Sequence, residues 1–194
     1  MKKFFAALSV VLYCAVPLFA DDVAAVRTVI VRQVEMKVKG DFAASFALLA
    51  PDYQGIDSEG DVTNREQARW ICLALDGKHP EEFWLVIHSL KNNGAMPSPE
   101  QESEIRRMAH EPKYLKIYEE MLPQLVASER TSAEFELKTL KFIALKLDDD
   151  KAAAVLEYGN MDAVSGAVKF KIETVALRRI DGKWMICRSV VKNK

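Results

Sequence analysis

The chain is poor in the groups that most enzymes display. Its three histidines, His79, His88 and His110, show no His-x-His or His-Glu-x-x-His spacing, which leaves the common zinc motifs out. The eight glycines never gather into a phosphate-cradling loop, and no serine sits in a nucleophile elbow. No cysteine has a histidine close by in sequence. No metal and no cofactor are expected from this pattern. Basic residues are nowhere dense enough for the phosphate neutralisation that nucleic-acid binding requires. Repeats and low-complexity runs are lacking too.

Cysteine is scarce: Cys14, Cys72 and Cys187 are the only three. Cys14 lies in a leading segment with the pattern of a secretory signal. Lys2-Lys3 form a basic start, Phe4 to Val16 are apolar and uncharged, Pro17 breaks the run, and Phe19-Ala20 precede Asp21-Asp22 as the cleavage point. The run is short for a membrane-spanning helix. Residues 1–20 are therefore expected to be removed and residues 21–194 to form a single exported domain, periplasmic or extracellular. Loss of Lys2 and Lys3 takes the formal charge from −1 to −3. Two remaining cysteines on apolar stretches do not make a disulfide framework, and Cys72 and Cys187 are expected to stay unpaired. Residues 21–134 carry 13 basic and 20 acidic side chains against 12 and 8 in residues 135–194, so the second part is mildly basic. Lysines on outward strand positions, which discourage edge pairing, account for that.

Helices dominate the first part. Asp21 or Asp22 is expected to cap a helix carrying Val23, Val26, Ile30, Val34 and Val38. Gly40 ends it, and Asp41 caps a second helix through Phe42, Phe46 and Leu49, stopped by Pro51. Residues 52–57 read as a short strand and Ser58-Glu59-Gly60 as a turn. Thr63 and Glu66 suggest a capping box for a helix burying Ala68, Ile71, Cys72 and Leu75. Pro80 is read as opening a helix through Asn92, with a strand over Phe83 to Leu90 as the alternative, and Ser98-Pro99 and Pro112 open further helices. Tyr114, Tyr118, Met121 and Leu125 form a stripe read as core before Pro123 disturbs the last turn.

From Phe135 to Val191 the period changes to two. Val168, Phe170 and Ile172 alternate with Lys169, Lys171 and Glu173, with a phase slip between Ile172 and Val175 that suggests a bulge. Asp181-Gly182 supplies a hairpin turn, and Trp184, Ile186 and Arg188 continue beyond it.

Two helices split at Gly40-Asp41, then Pro51-Asp52-Tyr53, a Gly60 turn, a capped helix and a strand meander ending in Asp-Gly-Lys-Trp form an ordered set. That order resembles the nuclear transport factor 2-like superfamily, which includes ketosteroid isomerase and polyketide cyclases, over residues 22–77 and 135–193. The resemblance implies an α+β fold, a curved and mostly antiparallel sheet wrapped around the N-terminal helices as a cone, with a helical insertion at about 80–130.

The fold hosts enzymes, binders and inert dimers, so the site must decide function. In ketosteroid isomerase an aspartate base works with a tyrosine and a protonated aspartate. Registered on the junction and the hairpin, the base falls at or near Asp57, the tyrosine near Gln33 and the second acid near Ala176. One part in three survives, and Asp57 before Ser-Glu-Gly also suits an ordinary turn. The leading expectation is a non-catalytic binding or interaction domain holding a small apolar molecule or meeting a protein partner. The alternative is an isomerase or dehydratase with Asp57 as base and Tyr53, Tyr158 or Arg188 polarising the oxygen. A third is an exported immunity or inhibitor protein using the acidic insertion. A homodimer is a further option; nucleic acid and a membrane span after cleavage are not expected. Convergent titratable groups in the pocket would favour an enzyme, apolar walls a binder.

Overall fold

Val26, Ile30 and Val34 recur at helical spacing and are all buried, which fixes how the first helix meets the sheet. A computed structural model describes residues 21–161 and 165–194; of residues 2–20 it describes only that their backbone belongs to that helix, α1 (Lys2–Lys39). The expected signal segment thus lies outside the described residues. Gly40, at φ +77°, ends α1, and the Asp41 carboxylate accepts the Ala44 N–H at 3.0 Å to start the one-turn α2 (Phe42–Phe46). The strand β1 (Leu49–Ile56) begins earlier than the sequence suggests and contains Pro51. Leu49 is a core residue of that strand rather than of α2.

The next elements are β2 (Val62–Asn64), α3 (Arg65–Leu75), α4 (Pro80–Lys91), α5 (Pro99–Ala109) and α6 (Pro112–Thr139). The capping box of α3 is Asn64 with Gln67, one residue beyond the expected Thr63 and Glu66, because Asn64 is still extended and paired with Gln54 in the sheet. That shift turns Trp70 and Ala74 inward and leaves Ile71 39% exposed. The proline-opened helices start as expected, α5 with a full Ser98/Gln101 capping box. Pro123 does not end α6, which carries it internally and runs through Phe135 to Thr139. The strand region therefore starts at β3 (Lys141–Asp148), followed by β4 (Lys151–Met161), β5 (Val168–Ile180) and β6 (Lys183–Asn193).

The six strands form one mixed, curved sheet in the order β2-β1-β6-β5-β4-β3, antiparallel except for the parallel β1–β6 pair. Its inner face carries Ala152, Ala154, Leu156, Val175, Leu177, Trp184 and Ile186, which pack with Val26, Ile30, Leu49 and Ala68 into the main core. Smaller cores lie in the insertion: Trp70, Leu85 and Ile105 form one, Ala74, Phe83 and Tyr118 another. Tyr114 stands edge-on to Trp84 at 5.2 Å, while Met121 is 39% exposed and leaves the expected stripe.

Two strand assignments change. Ile172 and Val175 do not share a face, so β5 needs no bulge there. The irregularity falls between Ala176 and Leu177 against β6, where the extra residue is Cys187. Glu173 pairs with the inward Leu156 and Lys171 with the inward Tyr158, so the charged residues of β5 face the cone. Val168 and Phe170 lie on the outer face, 44% and 47% exposed, where the sequence alternation alone suggested burial.

The hairpin turn is where it was expected. Asp181 and Gly182 have φ of +49° and +75°, the left-handed pair of a two-residue turn. Gly182→Val is expected to lower stability by about 1–2 kcal/mol, since a branched side chain clashes in that conformation. Chemical denaturation of the two proteins checks this, and equal midpoints would refute it. Asp22 does not cap a helix start, because α1 runs through it. Its carboxylate instead accepts from the Arg179 guanidinium and, at 3.4 Å, from the Trp184 indole, tying α1 to this hairpin. Cys72 and Cys187 are both free thiols, as expected.

Candidate functional site

The cone opens between α1, α2, α3 and the β1–β6 pair as a cavity of about 250 Å³. Phe46, Leu49, Ala68, Ile71 and Val191 supply its apolar wall. Tyr53 and Gly55 of β1 and Asp57 just beyond its end alternate onto this face, and Ser189, which pairs with Gly55, comes from β6. Gly55 is buried, and a Cβ there would stand 2.7 Å from the Tyr53 hydroxyl, so the phenol lies directly over it. The missing side chain makes room for that hydroxyl.

Behind the apolar wall stands a cluster of charged and polar groups that sequence reasoning did not assemble. Lys37 of α1 lines the cavity and feels Glu136 and Glu129 of α6, Glu173 of β5 and Tyr53 of β1. Burial alone would lower the Lys37 ammonium, but these groups together outweigh it and raise its pKa. Burial lifts the Glu136 carboxyl to about 7; Lys37 opposes that, and Glu173 and Glu129 add to it. Burial also pushes up the phenols of Tyr53 and Tyr158, and carries the Cys72 thiol to about 11. The Glu173 carboxylate accepts from the Ser189 hydroxyl at 2.5 Å.

Local sequence explains why α6 comes so near. Gly159 on β4 faces α6, and a Cβ there would stand 2.4 Å from Cε1 of Phe135. Its N–H donates to the Thr139 hydroxyl at 2.8 Å, and Asn160 donates to Ser132 at 2.9 Å. These contacts dock the last turns of α6 on the sheet and bring Glu136 inside. A single Gly159 in an alternating strand was the available signal, since strand glycine marks a close backbone approach.

The residues singled out from sequence fall in different places. Tyr53 and Asp57 line the cavity, and so does Gln33. Asp57 is exposed at the rim, and its Oδ1 accepts the N–H groups of Glu59 and Asp61, each at 2.9 Å. Tyr158 is buried on the inner face of β4 beside Glu173 and Glu136, outside the cavity lining. Arg188 is exposed on the outer face, opposite Ala176 and Gln54, because the bulge at Cys187 turns it away from the cone. Ala176 shares that outer face.

His79, Glu81 and Glu82 at the start of α4 place their ligand atoms within 4.8 Å of one another. Glu82 already meets Arg106 at 3.2 Å and Arg69 at 4.0 Å, and His110 lies 3.0 Å from Glu81. A helix N-terminus also repels a cation. These carboxylates are engaged in joining α3, α4 and α5.

No protein-family model matches the chain, and no curated protein does. Among solved structures, a nuclear transport factor 2-like protein with a cystatin-like fold from Novosphingobium aromaticivorans aligns with a TM-score of 0.51 at 12% identity, over 93% of this chain and 87% of its own. A nuclear transport factor 2-like protein of unknown function from Silicibacter pomeroyi aligns at 0.46 and 11%, over 91% and 98% of the two chains. A ketosteroid isomerase-like protein from Erwinia carotovora aligns at 0.41 and 11%, over 88% and 94%. The chain has the nuclear transport factor 2-like fold.

Proposed function

We propose that this is an exported, non-catalytic binding domain whose cone holds a small molecule with an apolar body and one hydrogen-bond-accepting end. The observation that carries this reading is the 250 Å³ cavity with an apolar wall and the donors Lys37 and Tyr53 at one side. Convergent titratable groups are present, but Lys37, Tyr53 and Cys72 all hold their protons more firmly than usual. Such groups donate hydrogen bonds and do not abstract protons. The cavity lies below the ~300–1,000 Å³ of sites for drug-sized ligands, so by itself it encloses a group of about one ring's size.

Titration calorimetry with a neutral cyclic ketone such as cyclohexanone tests the reading. Wild type is expected to bind, and Tyr53→Phe to bind about tenfold more weakly for the loss of one hydrogen bond. Absence of binding, or equal affinity in the variant, would count against it. A second reading is an isomerase or dehydratase, and the carboxylate that lines the cavity is Asp57. In that reading the earlier candidate Asp57 has its Oδ1 committed to the turn. Asp57→Asn is expected to leave ketone affinity unchanged; a turnover that falls about a hundredfold in it would establish Asp57 as a base.

Export rests on the basic start, the apolar run and the Ala20 junction. The intact mass of protein recovered from cells is expected to begin at Asp21. A mass that includes Met1 or Lys2 would exclude cleavage there.

A further inference from the structure

We propose that α4 of the insertion extends the cone into a second chamber, so that the natural ligand is an elongated amphiphile with a neutral polar head and an alkyl tail. This rests on the binding reading above and adds the shape and class of the ligand. A second cavity of about 160 Å³ lies between β2, α3 and α4. It adjoins the first, for Asp57, Thr63 and Ile71 line both. Val62, Ile71 and Leu90 stand on it at 50%, 39% and 71% exposure. Scattered apolar side chains on a surface need no explanation, but three converging on one cavity do.

One polar side chain of that wall is already satisfied, and another, the buried Trp70 indole N–H, has no partner among the described residues. The Gln67 amide donates to the Ser89 hydroxyl at 3.0 Å and to the Gly94 carbonyl at 2.7 Å, leaving Val62, Ile71, Val86 and Leu90 as the surface a ligand would cover. An alkyl chain suits such a wall. Charge argues for a neutral head: an anion would face Asp57, with the Lys37 charge already shared by Glu129, Glu136 and Glu173, and a cation would face Lys37. A carbonyl or ether oxygen would accept from Lys37 and Tyr53 without either cost.

A homologous series of 2-alkanones, from 2-pentanone to 2-undecanone, measures this directly. Beyond the length that fills the inner cavity, affinity should keep rising about fourfold per methylene as the tail enters the outer chamber. In Leu90→Asp, whose side chain is too exposed to unfold the protein, the ratio of long-chain to short-chain affinity should collapse at least tenfold. Short ketones that bind, with longer ones gaining nothing, would overturn the second chamber and leave the cone reading standing. An equal ratio in Leu90→Asp and wild type would also overturn it. Failure of every ketone to bind would overturn both.

Discussion

Trp70→Ala is expected to cost about 3–5 kcal/mol, the range for truncating a large aromatic side chain in a packed interior. Trp70 is 1% exposed and among the largest fully buried side chains among the described residues. It reaches from α3, part of the cone, into the core that Leu85 and Ile105 build in the insertion. Removing it therefore leaves a cavity at the seam between the two. Urea denaturation followed by tryptophan fluorescence and by far-ultraviolet circular dichroism would measure the loss. One shared, earlier transition is expected, because the seam is common property of both parts. A separate transition for the helical insertion with the remainder unmoved would show that Trp70 does not couple them.

That side chain also marks where sequence reasoning reached its limit. The Gly40-Asp41 junction, the proline-opened helices and the Asp181-Gly182 hairpin were legible because each is fixed by local backbone chemistry: a positive φ, a cap, a missing N–H. The start of α3 was misplaced by one residue because Thr63-Glu66 and Asn64-Gln67 are both good capping pairs locally. Only pairing of Asn64 with Gln54 across the sheet decides between them. The same holds for β5, whose alternation shows that two faces differ and not which one is inside. Packing of Val175 and Leu177 with Val26 and Ile30 of α1 decides that. The candidate site suffered most. Lys37, Glu136 and Glu173 lie on three distant segments, and none has a motif around it. Asp57 and Tyr53 were visible because they sit next to a recognisable turn, and Arg188 was misjudged because one bulged residue reverses its face.

Glu136→Gln is expected to stabilise the protein at pH 8 by about 3 kcal/mol and to remove a pH dependence that wild type shows. The folded pKa of about 7 lies above the ordinary carboxyl value of 4.5, so the folded state binds the proton more tightly than the unfolded chain does. Below about pH 4.5 both states are protonated and the contribution of this group is fully present. Between 4.5 and 7 the unfolded chain releases its proton first, and stability falls as pH rises. Above 7 the folded protein carries a buried carboxylate facing Glu173 and Glu129, with Lys37 and Lys171 as its opposing charges. Gln keeps the shape and never ionises, so the variant escapes the loss. Lys37 retains Glu129 and Glu173 and is not stranded. Other groups titrate as well: Glu66, held low by the hydrogen bond from Arg69, loses stability as pH falls. Such terms are shared by both proteins and cancel in their difference. Denaturation midpoints of wild type and variant at pH 5 and pH 8 give that difference. A gap that opens in favour of the variant toward pH 8 supports the buried cluster, and a variant less stable at pH 8 would place Glu136 in an ion pair with Lys37 instead.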